Sequence, residues 1–279
     1  MIRVAVTGSS GFIGKHLVTT LKMRNFEVFE IDISDGNDLT DPECLKFLPP
    51  VDHIVHLAAR SFVPLSFETP YIYYRDNYLI TLNVLEKARK DKSKVIFFSS
   101  YLYGNPDYLP VDEKHPLAPH NPYAQSKLIC EKLCEGYHRD FGVAIIVFRP
   151  FNIYGPGQNK SFLVSKIIDQ LKTGDVHLED PRPKRDFIHV MDIVEAVIKA
   201  IESKIPAYEV FNLGSGKSVS ITDLADKILS ITKSEHKVFF SKKERKGEVM
   251  DSVADIRKAK TLLSWDPLFN ISEGIKSII

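Results

Sequence analysis

This chain predicts an α/β fold: a doubly wound parallel sheet with a smaller C-terminal domain. Three observations carry that expectation. A β-branched run at residues 2–6 breaks at once into a glycine turn and then a helix-like run to about Arg24. Further apolar runs of strand length follow at 28–31, 54–57 and 95–98. Helix-length segments lie at about 70–90 and 123–140, so strands and helices alternate as they do in parallel sheets.

The 279 residues are 44% hydrophobic and 26% charged, with a net charge of +1. That is an ordinary globular composition, long enough for one large or two smaller domains. A near-neutral balance supplies no field to attract nucleic acid or an anionic membrane, so neither is expected as a partner. Met1-Ile2-Arg3-Val4-Ala5-Val6 leads straight into the first strand without a signal-peptide layout, and no apolar run has bilayer length; a cytoplasmic protein is expected. Cys44, Cys130 and Cys134 make neither a disulfide framework nor a metal-ligand spacing, and no metal site is expected.

The turn after the first strand reads Thr7-Gly8-Ser9-Ser10-Gly11-Phe12-Ile13-Gly14. Gly8 permits a tight turn, Gly11 lets backbone approach a pyrophosphate, and Gly14 lets the helix pack closely on the strand, with the helix N-terminus facing the phosphates. A glycine triplet alone is often only a loop; its place between strand and helix favours dinucleotide binding. The second strand ends in Asp32, placed to grip ribose hydroxyls, and no Arg or Lys lies in 33–37, which favours NAD over NADP. About twenty residues separate it from the third strand, leaving room for a short helix at most. After the third strand come Ala58-Ala59, small enough for a cofactor to pass. Asn77 and Asn83 fall within the 70–90 helix, where an asparagine is usually a tolerated surface residue. The fourth strand ends in Ser99-Ser100-Tyr101-Leu102-Tyr103-Gly104, hydroxyls at a carboxyl end where open α/β sheets bind ligands.

Asn121-Pro122-Tyr123-Ala124-Gln125-Ser126-Lys127 can place a phenol and an ammonium on one helix face, because residues four apart are neighbours. A nearby positive charge lowers a phenol's pKa from ~10 and makes it a usable acid or base. The same pair also suits an amphipathic helix edge. His56 and His189 lie in apolar runs and read as structural.

Taken in order, the glycine turn, Asp32, Asp38-Leu39, His56-Leu57-Ala58-Ala59, Ser99-Ser100 before Tyr103-Gly104, and Tyr123-x-x-x-Lys127 resemble the extended short-chain dehydrogenase/reductase family. More narrowly they are similar to its sugar-nucleotide epimerase/dehydratase branch. Arg149-Pro150-Phe151-Asn152-Ile153-Tyr154-Gly155-Pro156-Gly157, Arg185-Asp186-Phe187-Ile188-His189-Val190-Met191-Asp192 and Phe211-Asn212-Leu213-Gly214-Ser215-Gly216 agree, so the resemblance covers nearly the whole chain.

The resemblance implies a Rossmann NAD-binding domain at 1–150 and 187–213, and a smaller substrate-binding domain at 151–186 and 214–279. It implies Tyr123 as the base that takes a sugar hydroxyl proton while hydride leaves the same carbon. Lys127 would hold the nicotinamide ribose and lower the pKa of Tyr123. Ser99, four residues before Tyr103, would hydrogen-bond the reacting oxygen, with Ser100 the candidate if the register slips by one. Gly8, Gly11, Phe12, Ile13, Gly14, Asp32, Asp38, Leu39, Leu57, Ala58, Ala59, Asn77 and Pro150 match positions that line NAD. Asn152, Arg185 and Arg245 match positions that hold the nucleotide diphosphate, although Lys246 stands where the family has a proline. The helices at 71–90 and 123–140 resemble those that pair across a two-fold axis, so a homodimer is expected.

Dehydratases of this family carry an acidic pair after the catalytic Thr, and decarboxylases a glutamate, because elimination needs an extra acid or base. Here those places hold Ser100 and Tyr101. An NAD-dependent nucleotide-sugar 4-epimerase of the UDP-glucose/UDP-galactose type is therefore expected, with an NAD(P)H-dependent 4-ketoreductase of a 4-keto-6-deoxy sugar nucleotide as the alternative. Tyr73-Tyr74-Arg75-Asp76-Asn77 and Thr81 lean towards the epimerases. Ser61, in place of a lysine common there, leans away. Ser252 falls at the gatekeeper position, where a small residue suits an N-acetylated sugar. A non-catalytic cofactor-binding sensor would keep the glycine turn but has no need of Ser99, Tyr123 and Lys127 together.

Overall fold

A computed structural model describes residues 1–205, 208–241, 243 and 248–279. Six strands, β1 (Arg3–Thr7), β2 (Glu27–Ile31), β3 (His53–His56), β4 (Lys94–Phe98), β5 (Ile145–Pro150) and β9 (Tyr208–Leu213), form one parallel sheet in the order β2-β1-β3-β4-β5-β9. The chain leaves β1 for β2 on one side and returns to β3 on the other, so the strand order reverses between β1 and β3. Ligands of open α/β sheets bind at the carboxyl ends beside such a reversal. Helices α1 (Phe12–Met23) and α6 (Val190–Glu202) cover one face, and α3 (Pro70–Asp91) and α4 (Pro122–Phe141) the other. Burial on both faces is why the inner strands β1, β3, β4 and β5 are mostly apolar, while the edge strands β2 and β9 keep glutamates. The link from β2 to β3 is as short as expected: only a 3₁₀ turn at Ile33–Asp35, with Asn83 of α3 donating to the Leu39 carbonyl at 2.9 Å to hold it down.

Two smaller sheets complete the molecule. β10 (Ser218–Ser220), β8 (Lys184–His189) and β6 (Asn152–Tyr154) form one, and β11 (Val238–Phe240) with β7 (Val176–Leu178) the other. They pack with α5 (Leu163–Gln170), α7 (Ile221–Thr232) and α9 (Ile271–Lys276). The expected domain boundaries need two corrections. Residues 187–189 pair in the small sheet as part of β8 rather than opening the return to the large one. The segment around α8 (Arg257–Leu262), expected in the smaller domain, buries Ala254, Ile256, Ala259, Leu263 and Trp265 in the core of the large sheet. The Trp265 indole donates to the Asp192 carbonyl at 2.9 Å, and the Asp192 carboxylate accepts from the Leu268 and Phe269 backbone N–H groups. No helix among the described residues is long and apolar enough to cross a membrane.

One close contact locks α9 onto the small sheet. A Cβ at Gly274 would lie 1.9 Å from the Tyr154 hydroxyl, and the Tyr154 ring is itself wedged edge-on against His189. Gly274→Ala should therefore lower stability by about 1–3 kcal/mol, the usual cost of overpacking. Gly136→Ala on α4, where an added Cβ meets nothing within 4 Å, should be neutral or stabilising by up to ~1 kcal/mol through helix propensity. Thermal unfolding of the two variants checks the contrast.

Candidate active site

Gly8, Asp32, Leu57 to Ala59, Ser99, Ser100 and Pro150 lie at the carboxyl ends of five strands of the large sheet, whereas Asn152 and Arg185 lie in the three-stranded one. Gly8 adopts φ +70°, a left-handed conformation that favours glycine. A Cβ there would sit 2.8 Å from the Ala58 amide nitrogen, so the turn after β1 lies backbone to backbone on the segment after β3. Gly14 needs its missing side chain for a reason other than the expected one. A Cβ would meet the carbonyl oxygens of Gly8 and Ser9 at 2.2 and 2.6 Å: the helix packs on its own turn, not on the strand. Gly11 is exposed, and Phe12 and Ile13 form the first turn of α1. The tight turn that Gly8 and Gly14 allow leaves the exposed Gly11 at the N-terminus of α1, an arrangement that fits a dinucleotide pyrophosphate.

At the end of β2, the Asp32 carboxylate accepts from the Ser10 and Ser34 N–H groups, each at 3.0 Å, and from the Ser34 hydroxyl at 2.9 Å. Burial raises its pKa, but the hydrogen bonds from Ser34 and Ser10 outweigh it and hold the carboxyl below its ordinary value. An ionised acceptor so placed suits ribose hydroxyls. Asp38 is exposed, while the Leu39 side chain is buried in the core beneath.

The segment after β3 is held by two buried networks. The Thr7 hydroxyl lies 2.8 Å from His56 Nδ1, and His56 Nε2 lies 3.2 Å from the Thr81 hydroxyl. Burial first, and the Lys127 charge second, keep His56 neutral by pushing its pKa well below the usual histidine range. Asn77, 1% exposed, accepts from the Arg60 N–H at 2.7 Å and donates to the Arg60 carbonyl at 3.1 Å and to the Ser126 hydroxyl at 2.8 Å. It is no surface asparagine: it clamps the 57–60 loop to both α3 and α4.

Helix α4 begins where its sequence says it should. The Asn121 side chain accepts the Ala124 N–H at 2.8 Å, Pro122 occupies the first turn, and Gly142 ends the helix at φ +69°. Tyr123 and Lys127 share a face. The expected coupling between them does not hold in the chain alone. Burial pushes the Tyr123 phenol up to about 12, and the opposing pull comes from the Ser100 hydroxyl, not from Lys127. Lys127 is 2% exposed, with its ammonium 4.3 Å from the centre of the Phe97 ring, and burial lowers its pKa too.

The two serines separate here. Ser99 continues the β4 ladder, its N–H donating to the Phe148 carbonyl at 2.8 Å. Its hydroxyl is buried without a partner among the described residues. The Ser100 hydroxyl is the group that draws the Tyr123 phenol down against burial. Counting back from Tyr103 gives Ser99, and Ser100 is the candidate if the register slips by one. None of Ser100, Tyr101 and Leu102, the three residues after Ser99, is acidic.

Pro150 ends β5 among the buried residues at the same edge. Asn152 on β6 donates to the Asp186 carbonyl of β8 at 3.2 Å. Arg185 donates to the Lys184 and Val249 carbonyls and pairs with the Glu248 carboxylate, a partner that nothing in the sequence motifs signalled. Asp186 beside it is structural, accepting from Ser215, Gly216 and Ala254 backbone N–H groups. Ser252 is buried at 2% exposure. Arg245 lies outside the described residues. Beneath the site, Arg149 makes a buried ion pair with Glu131 at 2.6 Å and donates to the Tyr103 hydroxyl at 3.1 Å; sequence reading used Arg149 only as a motif letter.

The model of the NAD dependent epimerase/dehydratase family matches residues 4–214. A protein of Methanocaldococcus jannaschii provisionally named UDP-glucose 4-epimerase is 34% identical, over 99% of this chain and 97% of its own. A GDP-6-deoxy-D-mannose reductase of Pseudomonas aeruginosa is 31% identical, over 99% and 96%. The structure of the Thermotoga maritima UDP-glucose 4-epimerase with UDP-glucose superposes with a TM-score of 0.93 at 28% identity, covering 99% of this chain and 96% of that one.

The neutral, doubly bonded His56 ties stability to pH. An unfolded chain protonates this ring near pH ~6.5, the folded one only well below, so its contribution is complete above ~6.5 and is lost as pH falls through the folded value. The thermal midpoint should fall between pH 7.5 and pH 5. His56→Gln should start lower at pH 7.5 and show a shallower fall; an unchanged slope would count against the assignment.

Proposed function

Because the chain belongs to the NAD dependent epimerase/dehydratase family, whose members here are nucleotide-sugar epimerases and oxidoreductases, we propose that it is an NAD-dependent nucleotide-sugar 4-epimerase of the UDP-glucose/UDP-galactose type. The observation that carries this reading is Tyr123 and Lys127 one turn apart on α4, with the Ser99-Ser100 pair directly after β4 and no carboxylate at the two positions that follow it. Such a site can oxidise and reduce a carbinol but has no group in place for eliminating water or carbon dioxide.

NAD, when bound, supplies the acceptor and then the donor of hydride. The residues fitted to hold it are the Gly8-to-Gly14 cradle, Asp32 at the adenosine ribose, Asp38 and Leu39, the 57–59 segment positioned by Asn77, and Pro150. Lys127 holds the second ribose. Ser100 and Tyr123 would grip the sugar's 4-hydroxyl; Tyr123, once deprotonated to the phenolate, would take the hydroxyl proton as C4 is oxidised and return it to the 4-keto oxygen when the ketosugar is reduced on its other face. Asn152, Arg185 and Arg245 hold the diphosphate, a guanidinium fork matching phosphate oxygens; Glu248 must give up or share Arg185 as the nucleotide binds. A positive charge brought beside Tyr123 with the cofactor opposes the burial that keeps the phenol protonated.

The reductase relative at 31% identity favours the 4-ketoreductase as the second reading. An epimerase should release NAD on denaturation and give both epimers' anomeric NMR signals from one UDP-hexose without net cofactor use; stoichiometric consumption of NADH or NADPH with a 4-keto-6-deoxy sugar nucleotide would decide for the reductase. Tyr123→Phe should cut turnover by about 10²–10⁴-fold. Ser100→Ala should cost roughly 10²-fold and Ser99→Ala far less; the reverse order would return the catalytic role to Ser99.

The homodimer is proposed on α3 and α4, where Tyr71, Tyr74 and Tyr78 of α3 and Ile129 of α4 are exposed large side chains. Light scattering should give a dimer, and Tyr78→Glu with Ile129→Glu a monomer.

A further inference from the structure

Helix α4 carries a third polar residue on the face that bears Tyr123 and Lys127. Glu131 lies one turn beyond Lys127 and is 3% exposed, and both oxygens of its carboxylate accept from Arg149 at the end of β5. Arg149 Nε lies 3.0 Å from Oε1 and Nη2 lies 2.6 Å from Oε2, so the contact is a two-pronged fork rather than a single point. The third nitrogen of the guanidinium serves a different segment: Nη1 donates to the Tyr103 hydroxyl at 3.1 Å and to the Glu113 carbonyl at 3.4 Å. Tyr103 donates in turn to Asn212 Oδ1 at 2.5 Å, and Asn212 is the β9 residue in register with Arg149.

Two short tethers lead from Arg149 to the serines. The carbonyl of Phe148, the residue before it on β5, accepts the Ser99 N–H at 2.8 Å. On the other side its guanidinium holds Tyr103, and Tyr101 and Leu102 are all that separate Tyr103 from Ser100. Both are fixed: the Tyr101 hydroxyl donates to the Gly104 carbonyl at 2.9 Å, and the Leu102 carbonyl accepts the Ala118 N–H at 2.9 Å. Arg149 therefore links the helix that carries the phenol and the ammonium to the segment that carries the two hydroxyls. Stability does not call for such a link, because an apolar pair of similar volume is often as stable as a buried ion pair, or more so. A planar fork, unlike apolar packing, sets both the distance and the angle between the elements it joins.

Resting on the nucleotide-sugar reading of the site, we infer that Glu131, Arg149 and Tyr103 are positioning residues for the transfer of hydride and proton: they set the spacing between α4 and the Ser99-Ser100 segment. In this role none of the three touches sugar or cofactor; they act through Tyr123, Lys127 and the serines. A displacement of α4 by about 1 Å would leave the nucleotide bound and the reacting atoms misaligned, at a cost of about 10²-fold in rate.

The test replaces the ion pair by apolar side chains, Glu131→Leu with Arg149→Met, and follows melting, UDP affinity and turnover of the NAD-loaded protein with a UDP-hexose and with a 4-keto-6-deoxy sugar nucleotide. The double variant should melt no lower than wild type, bind UDP as before and keep its KM, while kcat falls about 10²-fold. Arg149→Lys, which keeps the charge and loses the fork, should also lose kcat at unchanged KM. A folded double variant with wild-type kcat overturns this inference and leaves the nucleotide-sugar reading standing. So does a loss of UDP affinity that matches the loss of kcat, the mark of general disruption. Should the double variant not fold, Tyr103→Phe decides: kcat lowered about tenfold at unchanged KM supports the role, and unchanged kcat overturns it. Wild type that turns over neither substrate overturns the nucleotide-sugar reading and this inference with it.

Discussion

Asn77 satisfies both polar ends of its side chain in a place closed to water, and the geometry of the site depends on it. Its amide takes and gives hydrogen bonds to the Arg60 backbone and reaches Ser126 on α4. Its own carbonyl accepts from the Thr81 hydroxyl and the Cys130 thiol. The loop after β3, the middle of α3 and the face of α4 that bears Tyr123 and Lys127 are therefore fixed by one residue. A buried amide is held this firmly because each unmet donor or acceptor would cost about 1–3 kcal/mol. The Thr7–His56–Thr81 chain repeats the arrangement one layer down, tying β1, β3 and α3 together.

Within that frame the two proposed catalytic groups are both pushed towards neutrality. Burial lifts Tyr123 to about 12 and lowers Lys127, the opposite of a preformed phenolate–ammonium pair. Under the proposed mechanism proton transfer is conditional: a buried phenol gives up its proton only when ligands bring charge and hydrogen bonds into the site. Arg149 and Glu131 illustrate the contrast. They are buried too, but the bidentate pair and the Tyr103 hydroxyl satisfy the charges, so this ion pair acts as a structural floor.

Several residues changed meaning between sequence and structure. Gly14 was read as a helix-to-strand contact and proves to be a helix-to-turn contact, because a helix that starts four residues after the left-handed Gly8 doubles back onto that turn's carbonyls. Asp186 sits beside a phosphate-binding candidate in a charged motif, yet it is spent on three backbone N–H groups. Ser99 and Ser100 follow β4 in succession, and a strand's alternation sends adjacent side chains to opposite faces, so the proposed role of Ser100 in place of Ser99 rests on one residue of loop length before Tyr103.

The linear chain by itself determined the parallel sheet, the glycine turn, the acidic end of β2, the short second crossover and the capped helix that sets Tyr123 and Lys127 one turn apart. Each is local, written in residues that choose their own backbone conformation or periodicity. Tertiary structure alone decided that Asn77 and His56 are buried clamps, that Glu248 holds Arg185, and that 254–265 belongs to the large core. Those facts come from contacts between residues tens to more than a hundred positions apart, and burial, which sets both their hydrogen bonding and their pKa values, exists only once the chain has closed on itself.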